Sequence, residues 1–501
     1  MIKKVAVLGG TSAGLLTALA LKAKIPDLQV QLIRLKDTEQ AASESSTPAL
    51  TGFLHGYLQV ELTRFVRTVK CNWTLGNMLM WGPRDHFFLP FTTQLDQRFP
   101  QLPKNNAFYV GDDVDCAGAM FALMAYDRPF YRLQTGQPAW HWDVAYQMDS
   151  SLFIHGLNQV AAAIGVETLE DTLVEVRQDA SGVTGLVVGS GKTETADLYV
   201  DCSGDRSLLL GQALKEPFVE FKSTLPCDRM LVAQGARGEE AIHPHTFSYT
   251  MPSGWAWQLE ILHRIDRGYV YSSAFASDQR AEQEFRVKYP GIVNPRVVPI
   301  RNGRYERAWV KNVVAIGDSS GYVEPLASTG LGLAAVNARL LVETLTEIGC
   351  QAAPAPMKLY NRHHVRVWDS IRRFLAIHYK YNTKSETPFW LACRKDTDLA
   401  GAETIVEYYR QCGPSSLWGP MLVDAVDLFG APSYLALLIG LNVETRYERN
   451  ISRQEREIWE AEREKIRSAA QQAFTVAEAL GALPAPGAAG PRVPVAGTAG
   501  G

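Results

Sequence analysis

The chain has 501 residues and a mass of 55.4 kDa, which is long enough for up to three domains of ordinary size. Apolar residues make up 46% of it and charged residues 21%, which excludes a mainly disordered, collagenous or coiled-coil protein. The 50 Lys and Arg residues against 53 Asp and Glu residues leave no basic excess for binding nucleic acid. No apolar run reaches the ~20 residues that span a bilayer, so we expect no membrane partner. Seven cysteines without a Cys-x-x-Cys pair favour a reducing cytoplasm over a disulfide framework.

The first 35 residues predict the opening of a dinucleotide-binding α/β unit. Residues 5–8 predict a strand, residues 9–14 a glycine-rich turn, residues 15–23 a helix and residues 29–35 a second strand. Backbone N–H groups of such a turn, with the positive end of the helix, can bind a pyrophosphate. Thr11 replaces the middle glycine of G-x-G-x-x-G, and Arg34 stands where an acid is expected to hold the ribose. Alone, the segment fits a nucleotide site and a purely structural turn equally well. The predicted cofactor contacts are Gly9, Gly10, Thr11, Ser12, Ala13, Gly14 and Arg34.

A second glycine-rich cluster, at residues 316–332, favours the nucleotide site. Asp318 follows a predicted buried strand, where its carboxylate can accept hydrogen bonds from ribitol hydroxyls. Gly330 and Gly332 open an Ala-rich helix whose N–H groups can face the pyrimidine edge of a flavin. Together the two turns predict FAD as the cofactor. The contacts predicted here are Asp318, Ser328, Thr329, Gly330 and Leu331.

The rest of the chain predicts one large α/β domain followed by helices. We predict an FAD-binding domain over residues 1–340, with strands at 197–202 and 313–316 and substrate-facing insertions at about 60–140 and 215–300. The second insertion alternates like a strand at 269–273. Residues 341–480 predict a helical C-terminal region that ends in a charged helix at 454–480. Residues 483–501 are rich in Pro, Gly and Ala and predict a disordered tail.

Several motifs follow one another in an order that points to a known family. Residues 43–48 read Ser-Glu-Ser-Ser-Thr-Pro, residues 145–149 Ala-Tyr-Gln-Met-Asp, residues 225–229 Leu-Pro-Cys-Asp-Arg and residues 254–257 Gly-Trp-Ala-Trp. With these motifs the chain, from residue 5 to about 447, resembles the flavin-dependent tryptophan halogenase family. The resemblance implies an FAD-dependent monooxygenase-like fold, in which a Rossmann-type FAD domain carries a mixed β-sheet insertion and is followed by a mostly helical region. It also adds Ser45, in the flavin loop, to the cofactor contacts.

The departures from the family fall on its chemistry. In the family, a lysine holds hypohalous acid near the substrate and a glutamate assists it. An ungapped count from Pro48 places Thr74 at the lysine position, and Lys70 is one turn away if this stretch is helical. Ala327 occupies the glutamate position. Thr74 cannot form a haloamine and Ala327 cannot accept a proton, so the pattern predicts direct hydroxylation by a flavin C4a-hydroperoxide instead of efficient halogenation.

Five further residues are candidates for catalysis or substrate binding. The resemblance places Glu44 near the flavin ring, and the alternative is an acid that stabilises a helix N-terminus. It also places His86 and Phe88 among residues whose rings stack on a planar substrate, with His86 as a proton acceptor. The alternative is that this segment is a surface loop whose phenylalanine belongs to the core. Trp255 and Trp257 either guard the tunnel from flavin to substrate or belong to the core. No spacing such as His-x-x-x-His predicts a metal site.

The sequence therefore predicts an enzyme, a flavin-dependent monooxygenase or halogenase, and places hydroxylation of an indole or tryptophan-type group first. A flavin-dependent halogenase of an aromatic substrate and a non-catalytic flavin-binding protein are the alternatives. The predicted substrate is an aromatic small molecule or a peptide-borne tryptophan. Because Arg34 replaces the ribose-binding acid, we expect loosely held FAD that a separate flavin reductase supplies in reduced form.

Overall fold

The computed structural model describes residues 1–37, 41–93, 115, 117–141, 143–351, 353–415, 419–447 and 450–485. None of the helices in these ranges is long and apolar enough to cross a membrane. The strands are β1 (Lys4–Leu8), β2 (Gln29–Leu35), β3 (Ser43–Ser45), β4 (Asn72–Thr74), β5 (Gly76–Met80), β6 (Phe87–Pro90), β7 (Ala145–Asp149), β8 (Glu167–Asp171), β9 (Leu173–Asp179), β10 (Gly182–Val188), β11 (Thr193–Glu194), β12 (Leu198–Asp201), β13 (Phe218–Glu220), β14 (Arg229–Ala236), β15 (Thr246–Met251), β16 (Gly254–Ile261), β17 (Arg264–Tyr271), β18 (Arg296–Pro299), β19 (Gly303–Tyr305), β20 (Trp309–Val310), β21 (Val313–Ala315) and β22 (Gly321–Tyr322). The helices are α1 (Ser12–Lys24), α2 (Pro48–Thr51), α3 (Leu62–Val69), α4 (Ala119–Ala125), α5 (Ser150–Ala163), α6 (Asp278–Lys288), α7 (Thr329–Glu347), α8 (Pro354–Tyr381), α9 (Pro388–Asp396), α10 (Glu403–Cys412), α11 (Gly419–Leu422), α12 (Gly430–Gly440), α13 (Arg453–Gln471) and α14 (Val476–Gly481).

The chain divides into two compact units, each assembled from three separate segments. Unit 1 comprises Met1–Cys71, Met148–Glu220 and Arg301–Trp368. Unit 2 comprises Asn72–Gln147, Phe221–Ile300 and Asp369–Gly501. Most of the two insertions predicted at about 60–140 and 215–300 therefore lies in unit 2, together with most of the helical C-terminal region.

Unit 1 is built on a six-stranded sheet in the order β20-β21-β12-β1-β2-β8. All neighbours in it pair in parallel except β20 and β21. The strand β1 is buried from Val5 to Leu8, as expected of a central parallel strand with both faces covered. This arrangement confirms the predicted Rossmann-type fold, and the strand predicted at residues 29–35 is β2. The carboxyl ends of β1, β12 and β21 lead into the turns at residues 9–11, 202–203 and 316–318, which lie at the same edge of the sheet.

The turn after β1 tolerates only glycine at two of its positions. Gly9 has a φ of +128°, and a Cβ on it would lie 2.0 Å from the backbone oxygen of Cys202. A Cβ on Gly14 would lie 1.9 Å from the backbone oxygen of Gly9. The two glycines that the sequence keeps from the nucleotide motif thus let α1 pack closely against the strand ends.

Unit 2 contains a seven-stranded sheet in the order β18-β14-β17-β16-β15-β5-β6. The strands from β18 to β15 pair antiparallel, β15 pairs in parallel with β5, and β5 pairs antiparallel with β6. This is the mixed sheet that the family resemblance implies. The strand predicted at residues 269–273 is the second half of β17, which ends at Tyr271.

The single charged helix predicted at residues 454–480 is wrong, because the structure contains two helices there. The helix α13 ends at Gln471, and α14 begins at Val476. The reason is local: Thr475 accepts a hydrogen bond from the Glu478 N–H, while the Glu478 carboxylate accepts one from the Thr475 N–H. This capping box starts a new helix. Of the predicted disordered tail, residues 486–501 lie outside the described part of the chain.

Candidate functional site

The N-terminal glycine turn and the loop at residues 43–48 meet in unit 1. The Ser12 hydroxyl, in the first turn of α1, donates a short hydrogen bond to the Glu44 carboxylate. Thr11 caps α1 without a side-chain hydrogen bond, so its side chain leaves the first N–H groups of the helix free to bind another acceptor. An uncapped helix N-terminus is a binding position for phosphate groups.

The second glycine-rich cluster, at residues 316–332, packs against the turn at residues 9–14 and the loop at residues 43–48 through two close contacts. A Cβ on Gly317 would lie 2.8 Å from the Cβ of Ala13. A Cβ on Gly332 would lie 2.1 Å from the Oγ1 of Thr47. Both glycines therefore permit an approach that a larger residue would block, and the segments around residues 9–14, 43–48, 317–318 and 328–332 are brought together in unit 1.

Two carboxylates of this site have raised pKa values. Burial raises the pKa of Glu44 to about 7; the Ser12 hydroxyl opposes this rise, and the negative charge of Asp318 adds to it. Asp318 remains accessible to solvent, but the protein atoms around it desolvate its carboxylate and, with the nearby charge of Asp205, raise its pKa to about 6. The charge of Asp318 contributes to the raised pKa of Glu44, so Glu44 can hold or release a proton near neutral pH.

Three observations test whether these residues fit a flavin nucleotide, and all three agree with it. The Oγ of Ser45 is buried and has no hydrogen-bond partner among the described residues. A Cβ on Gly330, in the first turn of α7, would meet no atom within 4 Å. Ser328, the N-cap residue of α7, has a φ of 52° and makes no capping hydrogen bond with its side chain. Unit 1 thus offers an unsatisfied hydroxyl, open space and a second uncapped helix N-terminus.

Arg34, the predicted departure from the ribose-binding acid, lies against the glycine turn. A Cβ on Gly10 would be 2.7 Å from the Cγ of Arg34, so the stem of the arginine covers this glycine. The Arg34 guanidinium forms a half-exposed ion pair with Glu170, with a distance of 3.6 Å between Nη1 and Oε2. The position therefore offers no carboxylate to a ribose, and the effect of Arg34 on ribose binding stays a prediction.

The substrate candidates His86 and Phe88 belong to a cluster of rings in unit 2. The ring centroids of His86 and Phe88 are 5.2 Å apart, and those of Phe88 and His245 are 5.7 Å apart. His245 in turn lies 4.7 Å from Phe247 and 5.5 Å from His243. Phe88 is 4% exposed, whereas about a third of the His86 side chain is accessible. This cluster combines aromatic surface with nitrogen acceptors, as the recognition of a planar heterocycle requires.

The structure places Thr74 beside this cluster. Thr74 ends β4, is fully buried and donates a hydrogen bond from Oγ1 to the Gly76 carbonyl at 3.3 Å. The next residue, Leu75, donates its N–H to the Pro244 carbonyl at 2.8 Å, between the two histidines of the cluster.

Lys70 is not the neighbour of Thr74 on a helix that the sequence analysis considered. It follows the end of α3 with a φ of 51°, its side chain is exposed, and Thr74 lies in a strand. The left-handed residue ends the helix and turns the chain into β4. In unit 1, Ala327 is 7% exposed at the end of a tight turn formed by Pro325–Ala327.

The two tryptophans of β16 differ in their surroundings. Trp255 is completely buried, and its ring lies 6.3 Å from that of Trp81, which also contacts Trp390 and Tyr379. These contacts favour the core interpretation for Trp255. Trp257 is partly exposed and covers Gly268, where a Cβ would lie 2.2 Å from the indole ring.

Sequence reasoning missed one group of residues in unit 2, formed by Asp127, His243 and His245. Each contributes one potential ligand atom, and these atoms lie within 4.8 Å of one another. The search for His-x-x-x-His assumed a helix, in which residues four apart share a face. His243 and His245 instead immediately precede β15, and in an extended chain residues two apart share a face. A search for His-x-His would have found them.

We expect Glu44→Gln to reduce the pH dependence of stability. The pKa of Glu44 is raised from its ordinary value of 4.5 to about 7 by burial, so the folded state binds this proton more tightly than the unfolded chain. The free energy of unfolding therefore falls as pH rises from about 4.5 through about 7, and the variant loses this part of the slope. Thermal unfolding measured across this pH range tests it.

Glu175→Gln, which removes an exposed carboxylate of unit 1, is the matched control. The raised pKa of Asp318 gives a slope of the same sign, which remains in both variants. Equal slopes for the native protein and Glu44→Gln would contradict the prediction.

Comparisons with known proteins find relatives over nearly the whole chain. The family model for tryptophan halogenase matches residues 4–456. Tryptophan 7-halogenase RebH of Lentzea aerocolonigenes is 29% identical over 450 residues, which cover 82% of each chain. The structure of MibH, a lanthipeptide tryptophan 5-halogenase, is similar with a TM-score of 0.86 and 34% identity, over 96% of this chain and 93% of MibH. BrvH, a flavin-dependent halogenase from Brevundimonas sp. BAL3, has a TM-score of 0.84 and 25% identity, over 96% of this chain and 99% of BrvH.

These relatives bear directly on the predicted reaction. The names of the three relatives all identify halogenases, so the comparisons favour the halogenase alternative over the hydroxylation that the sequence analysis placed first. They also account for the glycine turns, since a flavin-dependent enzyme of this kind requires FAD. The chain therefore belongs to the flavin-dependent tryptophan halogenase family of enzymes.

Proposed function

We propose that the protein is a flavin-dependent halogenase that acts on an indole ring. The observation that carries the proposal is the family match over residues 4–456, which includes both the cofactor motifs and the substrate-facing strands. Thr74 and Ala327, at the family's lysine and glutamate positions, favour the hydroxylation alternative. The two reactions give products of different mass, so they can be separated directly.

The convergence of four segments in unit 1 supports the location that we propose for FAD. The turn at residues 9–14 and the N-terminus of α1 bind the pyrophosphate, Asp318 binds ribitol hydroxyls, and residues 328–331 face the ring. Bound reduced flavin supplies the electrons that activate O₂. Because Arg34 offers no acceptor to the ribose, we propose loose binding and a separate flavin reductase. Retention of stoichiometric flavin through purification, with direct oxidation of NAD(P)H, would refute that part.

Glu44 is the residue that we propose to handle protons in this site. With its pKa raised to about 7 by burial, the carboxyl group is present in both protonation states at neutral pH. A group of this kind suits general acid–base assistance, which is most effective when the pKa is near the working pH. Ser12 fixes its orientation through the hydrogen bond described above.

We propose that the ring cluster around His86 and Phe88 binds the substrate. Phe88 provides a buried aromatic face, and the partly accessible His86 provides a nitrogen for the indole N–H. The likeness to MibH supports a peptide-borne tryptophan as substrate, because MibH is a lanthipeptide tryptophan 5-halogenase. Free tryptophan, the substrate type in the name of RebH, is the second arm of the test.

Mass spectrometry of the products tests the proposed reaction. The native protein is supplied with reduced FAD, O₂ and chloride or bromide, together with tryptophan or tryptophan-containing peptides. We expect the substrate to gain one halogen in place of one hydrogen, and omission of halide to abolish that product. A gain of one oxygen, independent of halide, would refute halogenation in favour of hydroxylation. Bound flavin without any product would support the non-catalytic alternative.

We expect Thr74→Lys combined with Ala327→Glu to raise the rate of halogenation. General acid–base assistance contributes ~10²–10⁴-fold in enzymes, so restoring the family's lysine and glutamate should give at least a tenfold increase in rate. Product formation under single-turnover conditions measures it. Lys70→Ala is the control, and it should leave the rate unchanged because this side chain is exposed at the end of α3. A loss of halogenation in Lys70→Ala would show that Lys70 serves the reaction.

A further inference from the structure

The cluster of Asp127, His243 and His245 in unit 2 has the composition of a metal-binding site. His243 Nδ1 lies 2.8 Å from Asp127 Oδ1, and His245 Nδ1 lies 3.8 Å from the same oxygen. The three potential ligand atoms all lie within 4.8 Å of one another. Two imidazoles and one carboxylate form a donor set that binds divalent transition-metal ions such as Zn²⁺.

His245 supplies a second observation that points to a ligand. Its side chain is only 2% exposed, and neither ring nitrogen has a hydrogen-bond partner among the described residues. The rings packed against it, Phe88 and Phe247, offer no acceptor or donor. Buried polar atoms in folded proteins are nearly always satisfied, so this imidazole lacks the partner that a purely structural histidine would have.

The backbone around the two histidines is held in place. The Asn72 side chain donates to the His243 carbonyl at 3.0 Å, and the Leu75 N–H donates to the Pro244 carbonyl at 2.8 Å. His245 is thus a fixed ligand. Asp127, 41% exposed, and His243, 29% exposed, lie at the accessible side of the cluster, where small rotations can bring their atoms to bonding distance.

We propose that Asp127, His243 and His245 bind a divalent transition-metal ion, with water completing the coordination. On binding, the metal displaces the proton that His243 Nδ1 shares with Asp127, which is released to solvent, and this histidine keeps a proton on Nε2. The open side formed by Asp127 and His243 leaves room for the water ligand. The evidence for the metal site involves no flavin-binding residue, although His245 also contacts Phe88 of the proposed substrate cluster, so the test below measures metal binding without any halogenation assay.

The experiment measures Zn²⁺ binding to the full-length protein after treatment with a chelator. A chromophoric chelator competes for the metal, and Co²⁺ absorption reports the coordination. We expect one equivalent of Zn²⁺ to bind, and His245→Asn, His243→Asn and Asp127→Asn each to weaken binding at least tenfold. Zn²⁺ should also raise the melting temperature of the native protein and not that of the variants, since a ligand stabilises only the state that binds it.

Two control variants separate this site from other metal-binding groups. His263→Asn removes an exposed histidine of the same unit, and Cys412→Ser removes an exposed thiol. Both should bind Zn²⁺ like the native protein. Asp127→Asn changes a partly exposed side chain, so it tests the site even if His245→Asn fails to fold. Absence of a stoichiometric Zn²⁺ ion, or binding that survives all three ligand substitutions, would overturn the proposal.

Discussion

Gly14→Ala is expected to prevent stable folding of unit 1, whereas Gly330→Ala should fold normally and bind flavin poorly. A Cβ on Gly14 would lie 1.9 Å from the backbone oxygen of Gly9, and no side-chain rotation relieves a clash with backbone. Overpacking of this kind costs ~1–3 kcal/mol and more where the backbone cannot shift, out of a total stability of ~5–15 kcal/mol. Thermal unfolding and soluble yield measure the loss.

Gly330→Ala isolates the cofactor from the fold. A Cβ there meets no protein atom within 4 Å, and alanine in a helix is favoured over glycine by ~0.5–1 kcal/mol. The flavin-free variant should therefore be at least as stable as the native protein. If the flavin ring faces residues 328–331, the added methyl group occupies part of its space, and the Kd for FAD should rise.

Gly56→Ala is the control for Gly330→Ala, because Gly56 is also exposed in unit 1 with nothing within 4 Å of its Cβ position. It should leave the affinity for FAD unchanged. Equal affinity in Gly330→Ala and the native protein would show that the ring lies elsewhere.

Asp318→Ala is expected to weaken FAD binding by about 10- to 100-fold. Hydrogen bonds to a charged group are worth ~1.5–3 kcal/mol, and the alanine variant removes the carboxylate that we propose binds the ribitol hydroxyls. The pKa of Asp318, raised to about 6 by the desolvation of its carboxylate, leaves it mostly ionised at neutral pH. Fluorescence titration of the flavin-free protein with FAD measures the Kd. Glu175→Gln, far along the chain on the exposed β9, should bind FAD normally, and an unchanged Kd in Asp318→Ala would refute the assignment.

The sequence predicts the fold of unit 1 well, because its signals are local. A buried apolar run, a glycine turn and a helix follow one another within the first 24 residues, and the structure contains β1 and α1 there. A Cβ at Gly9 or Gly14 would clash with backbone atoms, so these positions must be glycine. The constraint that shapes the turn is therefore visible in the sequence. The prediction of one charged helix at 454–480 was wrong because Thr475 and Glu478 form a capping box that starts a new helix. The charge pattern around these two residues is typical of one continuous helix and does not indicate the break.

The substrate side was harder to predict because its contacts join distant segments. His86, Asp127 and His245 are far apart in the sequence. Pairing of β5 with β15 and with β6 brings the segments of His86 and His245 together, and Asp127, which follows α4, contacts His245 across a loop. Counting residues along the chain could predict Thr74 at the family's lysine position. It could not show that the N–H of the next residue, Leu75, donates a hydrogen bond to the Pro244 carbonyl between His243 and His245. Trp255 could be assigned to the core only when its contacts with Trp81 were known.

Because each unit is assembled from three segments, it cannot finish folding during translation until its last segment has left the ribosome. On the ribosome, residues 1–71 emerge long before residues 301–368, which supply α7, the helix that packs on α1. At translation rates of about 5–20 residues per second, the nascent N-terminal segment waits roughly ten to fifty seconds for its last partner. During that time the buried residues of β1 and β2 lack part of their packing partners, and we expect the nascent chain to be prone to aggregation. A shortened protein that consists of residues 1–340 would lack the last turns of α7, which ends at Glu347. We expect this shortened protein to aggregate.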